Sequence, residues 1–269
     1  MTPDKAKQTV PPESFFREIQ IEFLIHELKG PVSIIETGLR TLLEKQEKFG
    51  PLSSKQERTL QRALKNAKKT REMINDLLEI GRSEAGCFLC CRFHLGKAIR
   101  DVLMEELETL TIGTISSEKS NGQIQDLETH GVFLIIEPQT ARSEMLQDET
   151  KFRQIFGNLI KNALRHRKNR IDIRVFQENN QLVVDVSDDG PGVNPEDHEL
   201  IFKRYVQANQ GATLERNGHG LGLAGALIMA RSLGGDIRLK SEAGKGATFR
   251  LILPMTMEQP KIPDECTIP

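Results

Sequence analysis

The segment His26-Glu27-Leu28-Lys29-Gly30-Pro31 combines a nucleophile, a carboxylate and a helix-bending proline within a helical pattern. His26 falls on a polar face of that helix, so we expect its imidazole to be exposed. A neutral imidazole is nucleophilic near pH 7, and Glu27 could orient the ring or take its proton. The alternative is an ordinary surface histidine beside an ordinary glutamate.

A second segment carries Asn158 and Asn162, which are four residues apart and therefore share one helix face. Amide oxygens are hard ligands suited to Mg²⁺, which also binds water and phosphate oxygens. Lys161, Arg165 and His166 could neutralise phosphate charge. The alternative is a solvated basic face, although asparagine is a poor helix former and two of them weaken that alternative.

Two glycine-rich segments complete the set. Asp188-Asp189-Gly190-Pro191-Gly192 follows a predicted strand, where the Asp188 carboxylate could accept from the exocyclic amine of adenine and the glycines would let backbone approach the base. Gly218-His219-Gly220-Leu221-Gly222-Leu223 opens a predicted helix, whose N-terminus attracts phosphate. The first could be a plain turn. The second follows no strand, which argues against a dinucleotide-binding fold.

The histidine segment must be positioned by a helical hairpin. Apolar residues recur at helical spacing over 13–48 and again over 54–83, and the segment 49–54 supplies a helix stop, a turn and a new N-cap. Two long helices with a short connection form an antiparallel hairpin whose apolar stripe stays partly open. We therefore expect a homodimer that closes a four-helix bundle. The alternative is that the stripe packs on the rest of the same chain.

The second half mixes strands and helices without strict alternation, which indicates an α+β domain. Residues 109–131 are polar and rich in turn-forming types, so we expect an irregular insertion there. Asp148 is predicted to cap a helix that runs to about 167. Further strands are predicted at 88–93, 132–136, 171–176, 182–186, 236–241 and 247–253, and further helices at 95–108 and 223–233.

Composition excludes several classes. The 269 residues carry 37 Lys+Arg and 38 Asp+Glu, a formal net charge of -1, so no global field favours nucleic acid or an acidic membrane. No apolar run approaches the roughly 18 residues that span a bilayer, and no secretory signal is evident. We expect no membrane span in this chain and a cytoplasmic location. Cys87, Cys90, Cys91 and His94 could hold zinc, or the cysteines could be reduced residues of a partly buried strand.

In their order and spacing these segments resemble the catalytic core of a two-component sensor histidine kinase, over roughly residues 15–254. The histidine segment resembles the phosphoacceptor box of that family, and residues 158–166 resemble its asparagine box. The remaining boxes also have counterparts: residues 188–192 and 218–223 resemble the two glycine boxes, residues 201–205 the phenylalanine box, and residues 244–249 the terminal strand signature.

The resemblance implies a multidomain architecture. An all-α antiparallel hairpin for dimerisation and histidine phosphotransfer (15–86) precedes a Bergerat-type ATP-binding domain, an α+β sandwich (87–254), and tails lie at 1–14 and 255–269. His26 would take the γ-phosphate of ATP with Glu27 assisting proton removal. The product would pass to an aspartate of a response regulator receiver domain supplied in trans, since none follows Pro254.

The resemblance also assigns the nucleotide contacts. Asn162 would bind Mg²⁺ with Asn158 close by, and Asp188 would read adenine with support from Thr248. The other implied contacts are Lys161, Arg165, His166, Gly190, Gly192, Arg204, Tyr205, Gly218, Gly220, Leu221, Gly222 and Leu223. Gly30 departs from relatives that dephosphorylate their partner, which usually carry Thr or Asn there, so we expect weak phosphatase activity. A nucleotide-gated scaffold and a serine kinase with the same pocket are the alternatives.

Overall fold

The computed structural model describes residues 20–84, 88–111, 125–203 and 222–257, and the chain divides into two compact units, Met1–Gly81 and Arg82–Pro269. In the first unit, helix α1 (Gln20–Glu44) contains Pro31 and is followed by the four-residue helix α2 (Gln46–Phe49). Helix α3 (Ser54–Glu84) completes the hairpin. The single helix predicted over 13–48 therefore ends earlier, and its first residues, 13–19, lie outside the described part of the chain.

The start of α3 follows from local hydrogen bonds. Gly50 has φ 89°, a conformation that favours glycine, and it ends α2. Ser53 and Gln56 then form a capping box, in which the Ser53 N–H donates to Gln56 Oε1 (2.9 Å) and the Gln56 N–H donates to Ser53 Oγ (3.4 Å). The predicted helix stop and N-cap are thus confirmed.

The two apolar stripes of α1 have different surroundings. Val32 packs against Ile74 and Leu78 of α3, and Glu36, one turn later in α1, pairs with Arg71, which lies earlier in α3, so the two helices are antiparallel. On the other stripe, the side chains of Leu28 and Ile35 are 51% and 55% exposed within this chain. The hairpin therefore covers one stripe and leaves the second open.

A buried carboxylate also joins the two helices. Glu36 of α1 is only 3% exposed, and its two oxygens form ion pairs with Arg40 (2.6 Å) and with Arg71 of α3 (2.9 Å). A buried charge is tolerated only when it is paired, so this arrangement fixes the register of α1 on α3.

The second unit contains the strands β1 (Cys90–His94), β2 (Val132–Ile136), β3 (Glu144–Asp148), β4 (Ile171–Glu178), β5 (Gln181–Asp188), β6 (Asp236–Ser241) and β7 (Ala247–Pro254). Five of them form a sheet in the order β2-β4-β5-β7-β6, in which β2 and β4 are parallel and the other pairs are antiparallel. A separate two-stranded sheet joins β1 and β3.

Helices cover one face of the larger sheet. The helices are α4 (Leu95–Thr111), α5 (Gln125–Thr129), α6 (Pro138–Arg142), α7 (Glu149–His166) and α8 (Gly222–Ser232). Alternate residues of β4 and β7, such as Ile173 and Leu251, are fully buried toward these helices. On the opposite face Arg174, Asp185 and Arg250 form a cross-strand row. The predicted α+β layering is confirmed.

The sequence analysis predicted neither α6 nor β3. The residues of β3, Glu-Met-Leu-Gln-Asp, alternate poorly, and their strand conformation comes from pairing with β1 some fifty residues earlier. Part of the insertion predicted over 109–131 is helical, since α4 extends to Thr111 and α5 follows, while residues 112–124 are outside the described ranges. The turn between β4 and β5 is as predicted, with positive φ at Asn179 (48°) and Asn180 (61°).

Candidate nucleotide-binding site and phosphoacceptor helix

The histidine segment lies within α1. His26 belongs to the helix, but its side chain is outside the described part of the structure, whereas Glu27 is exposed. Gly30, one turn further on, is also exposed, and a Cβ built there would meet nothing within 4 Å. This turn of the helix therefore has room for a larger side chain.

Helix α7 presents the two asparagines. Asp148 caps the helix, since its Oδ1 accepts from the Lys151 N–H (3.1 Å). The apolar side of α7 is buried, with Phe156 and Leu159 fully enclosed in the core. That burial fixes the rotation of the helix and leaves Asn158 and Asn162 half-buried.

The first turn of α8 lies beside Asn158. A Cβ added to Gly222 would lie 3.5 Å from Asn158 Oδ1, and the next residue, Leu223, packs against the core. One turn further along α7, the Asn162 side chain is half-buried, and its amide oxygen is of the type that Mg²⁺ accepts as a ligand. An amide oxygen beside a helix N-terminus suits a site for Mg²⁺ and phosphate.

The end of α7 meets the first glycine turn. A Cβ at Gly190 would clash with the His166 carbonyl, the last of α7. Gly192 has φ 71°, and a Cβ there would clash with the Glu242 carbonyl. We expected these glycines to make room for a base, but both positions are occupied by the protein's own backbone. They are required by the close packing of three chain segments.

Asp188 is the last residue of β5 and continues the row of Val184 and Val186 that faces the helices. It is 8% exposed, and its carboxylate accepts from the Gly190 N–H (2.9 Å) and from the backbone N–H of Ala247. Burial raises the pKa of Asp188 above its ordinary value, and the charge of Asp189 adds to the rise, while the two hydrogen bonds oppose it.

Thr248 does not support Asp188. In the ladder of β5 and β7, Asp188 lies opposite Ala247, and Thr248 lies opposite Ser187 on the other face of the sheet. The Thr248 hydroxyl is 2.9 Å from the Ser187 hydroxyl. The residue of β7 that lies opposite Asp188 is thus Ala247, which donates its backbone N–H to the carboxylate. The period of two in β7 indicates only that Thr248 lies on the face opposite Ala247 and Phe249, which are buried.

The basic residues of α7 differ in environment. Lys161 Nζ lies 3.4 Å from Glu106 Oε1 of α4, so Lys161 is directed toward that helix. Desolvation lowers the pKa of Arg165, and desolvation together with the Arg165 charge lowers the pKa of His166. Five predicted contacts lie outside the described residues: Arg204, Tyr205, Gly218, Gly220 and Leu221.

Asp189 was missed by the sequence reasoning. Its Oδ1 accepts backbone N–H groups from Lys168 (2.8 Å), Asn169 (3.1 Å) and Arg170 (3.1 Å), in the turn that follows α7. Burial would raise the pKa of Asp189, but these backbone donors together hold it below its ordinary value. The only sequence signal was an acidic residue before a glycine, which is common in turns.

The cysteine segment does not form a metal site in the described part of the chain. Cys90 Sγ is 3.5 Å from Met257 Sδ, Cys91 is exposed, and His94 is 3.7 Å from Glu144. Burial raises the pKa of Cys90. Among the residues described, which exclude Cys87, no group of His, Cys, Asp or Glu is arranged to hold a metal ion. Across the same ranges no helix is long and apolar enough to cross a bilayer.

Curated relatives match most of the chain. The circadian input-output histidine kinase CikA of Synechococcus elongatus is 27% identical over 241 residues, which are 88% of this chain and 30% of the relative. The signal transduction histidine-protein kinase ArlS of Staphylococcus aureus is 26% identical over 245 residues, 89% of this chain and 49% of the relative. The chain thus spans half or less of these relatives.

Solved structures share the fold. The crystal structure of full-length ShkA in complex with AMPPNP superposes with a TM-score of 0.63 at 22% identity and covers 93% of this chain and 47% of that one. The Acinetobacter baumannii histidine kinase AdeS superposes with a TM-score of 0.52 at 18% identity and covers 87% of this chain and 98% of that one.

Two family models match separate parts of the chain. The His Kinase A (phospho-acceptor) domain matches residues 17–86, which include the histidine segment. The histidine kinase-, DNA gyrase B- and HSP90-like ATPase matches residues 147–257, which include both glycine turns and the asparagine helix. The chain therefore belongs to the two-component sensor histidine kinases, of which it carries the phosphoacceptor helices and the ATP-binding domain.

Proposed function

We propose that this chain is an ATP-dependent autokinase that phosphorylates its own His26 and passes the phosphoryl group to an aspartate of a separate response regulator. One observation carries the proposal: helix α7 contacts both glycine turns. Its Asn158 side chain lies against Gly222 at the start of α8, and its last carbonyl, that of His166, lies against Gly190. A single helix thereby holds the asparagines between a base-binding end and a phosphate-binding end.

At the base end, Asp188 supports recognition of adenine. Its buried carboxylate already accepts two backbone N–H groups, and it retains lone pairs for the exocyclic amine of the base. Because the carboxylate is desolvated, a hydrogen bond to it is stronger than one to a solvated acceptor.

At the phosphate end, Asn162 would hold Mg²⁺ through its amide oxygen, with Asn158 close by. The donor set fits the ion, because a single amide leaves positions for waters and phosphate oxygens. The bound ion would neutralise charge on the phosphates. Arg165 and His166 lie on the same helix and add donors, whereas Lys161 is directed toward Glu106 and is a weaker candidate.

In the transfer step, a neutral ring nitrogen of His26 attacks the γ-phosphorus. The P–N bond forms as the bond to the β,γ-bridging oxygen breaks, and ADP carries the electron pair away. Glu27, exposed beside His26 on α1, accepts the proton from the other ring nitrogen. The phosphohistidine then donates to a receiver domain in trans.

The open stripe of α1 supports a homodimer. Leu28 and Ile35 are large apolar side chains that are 51% and 55% exposed within a single chain. A second copy that packs the same stripe against this one buries both and closes a four-helix bundle.

Incubation of the full chain with γ-³²P-ATP and Mg²⁺ tests the function. We expect an acid-labile, base-stable label that His26→Ala abolishes and the control His130→Ala retains, since His130 lies outside the histidine segment. Acid-stable label on a partner protein would instead support the serine kinase, and no label in the wild type would support the scaffold. Neither alternative explains the match of the phosphoacceptor model to residues 17–86.

A further inference from the structure

We propose that Asp189 is a positioning residue for the nucleotide: its carboxylate fixes the end of α7 against the Asp188 turn, so that the base end and the phosphate end keep one separation. The inference rests on the proposed function and deepens it. Asp189 itself makes no contact with the ligand. It acts on the backbone that carries the ligand-binding groups.

The geometry gives Asp189 an unusual number of partners. Three consecutive N–H groups, those of Lys168, Asn169 and Arg170, converge on its Oδ1, and the Asn169 N–H also lies 3.1 Å from Oδ2. In return, the Asp189 N–H donates to the Arg170 carbonyl (3.3 Å). Convergent backbone N–H groups form an anion-binding nest, and here a side chain of the neighbouring segment fills it.

The nest lies at the junction of the two parts of the site. The residues that donate to Asp189 begin two positions after His166, the last residue of α7, which carries Asn158 and Asn162. The acceptor is covalently next to Asp188. A nucleotide that contacts both Asp188 and Asn162 therefore spans a separation that these hydrogen bonds hold constant.

The neighbouring contacts make this link specific. Gly190 packs against the His166 carbonyl so closely that no side chain fits, and this contact requires the turn to stay in place. Without an acceptor at 189, three N–H groups lose their partner, and solvent must replace it. The turn can then adopt other conformations. Part of the binding free energy of the ligand is used to restore a single one, so the affinity falls.

The test compares Asp189→Ala with Asp172→Ala in the full chain. Asp172, at the start of β4, forms a bidentate ion pair with the Arg170 side chain (both contacts 2.7 Å). Its loss removes a carboxylate that contacts this turn but leaves the acceptor of the three backbone N–H groups in place. We measure the dissociation constant of Mg²⁺–AMP-PNP by calorimetry and the KM and kcat of autophosphorylation.

We expect Asp189→Ala to raise the dissociation constant and KM about tenfold and to leave kcat at saturating ATP within about twofold. Asp189→Asn retains one acceptor oxygen, so its dissociation constant and KM should lie between those of the wild type and Asp189→Ala. Asp172→Ala should match the wild type. Should Asp189→Ala not fold, Asp189→Asn against Asp172→Asn carries the same comparison.

A lower kcat in proportion to the folded fraction, at unchanged KM and unchanged affinity, would overturn the inference, because it is the result of a structural role alone. Equal affinity of Asp189→Ala and the wild type would overturn it as well. Failure of the wild type itself to bind Mg²⁺–AMP-PNP or to label His26 is a different outcome, and it would refute the proposed function.

Discussion

Replacement of Asp188 by asparagine should separate the stability of the ATP-binding unit from its affinity for nucleotide. The variant keeps an oxygen for the Gly190 N–H (2.9 Å in the wild type) but loses the negative charge that faces the adenine amine. A hydrogen bond to a charged group contributes about 1.5 to 3 kcal/mol, which corresponds to about a 10- to 150-fold change in affinity. Because Asp188 is only 8% exposed, little solvent screens the interaction, and we expect the upper part of that range.

Stability should respond differently. Burial raises the pKa of Asp188 in the folded chain above 3.8, the ordinary value. As the pH rises above 3.8, the unfolded chain releases this proton first, and the folded chain still holds it. The free energy of unfolding therefore falls over this window, and the deficit remains at neutral pH. Asp188→Asn removes the deficit and weakens one backbone contact, so its free energy of unfolding at pH 7 should stay within about 1 kcal/mol of the wild type.

The matched control is Asp185→Asn, on the same strand but the opposite face of the sheet, where Asp185 pairs with Arg250 (both contacts 2.7 Å). Calorimetric titration of both variants with Mg²⁺–AMP-PNP, and urea unfolding between pH 4 and pH 7, give the two quantities. Wild-type affinity in a folded Asp188→Asn would refute the assignment of Asp188 as the adenine acceptor. Parallel pH profiles for wild type and variant would refute the electrostatic part of the reasoning.

Three further predictions concern the helical hairpin. Gly30→Thr should increase dephosphorylation of the regulator about tenfold or more, because a Cβ at Gly30 meets nothing within 4 Å and a hydroxyl there can position water. The control Gly38→Thr, which is equally unobstructed, should have no such effect. Robust decay of the regulator phosphate with the unmodified chain would contradict this prediction. Ile35→Asp should shift the chain to monomers in light scattering, because it places a charge in the open stripe, and an unchanged dimer would contradict that. Arg71→Ala should lower the free energy of unfolding by about 1 to 2 kcal/mol. In a double-mutant cycle, the same substitution should have a much smaller effect in the Glu36→Gln background, and additive losses would show that Glu36 and Arg71 are not coupled.

Most of the fold was accessible from periodicity. The helical spacing of α1 and α3, and the alternation in β4, β5 and β7, arise from burial of one face, which a sequence records directly. The strand β3 was not accessible, since its conformation depends on pairing with β1, and a residue's own propensity carries little of that information. The sequence also could not tell that Val32 would be covered by α3 while Ile35 stays open, because both belong to apolar stripes of the same helix.

The same distinction, between local information and information that depends on distant pairing, applies to the candidate site. Residue type and spacing indicated Asn158, Asn162 and Asp188, because the chemistry of each side chain is local. The partner of Asp188 was not indicated, since it is the backbone of Ala247 and depends on the register of two strands far apart in sequence. The place of Thr248 on the opposite face follows from that register and the period of two along a strand.

Asp188 and Asp189 illustrate how adjacent, chemically identical side chains acquire opposite pKa shifts. At Asp188, two backbone donors do not offset the effect of burial, and the pKa rises. At Asp189, three converging donors in the turn after α7 more than offset that effect, and the pKa falls. A carboxylate that lacks solvation in the free protein gains most from a ligand donor, so Asp188 is suited to bind. A carboxylate whose hydrogen bonds are already made gains little from a ligand, so Asp189 is suited to hold the backbone in place. The order of the two residues in the chain does not determine this difference. The turn after α7 does, because the N–H groups of Lys168, Asn169 and Arg170 converge on the Asp189 carboxylate.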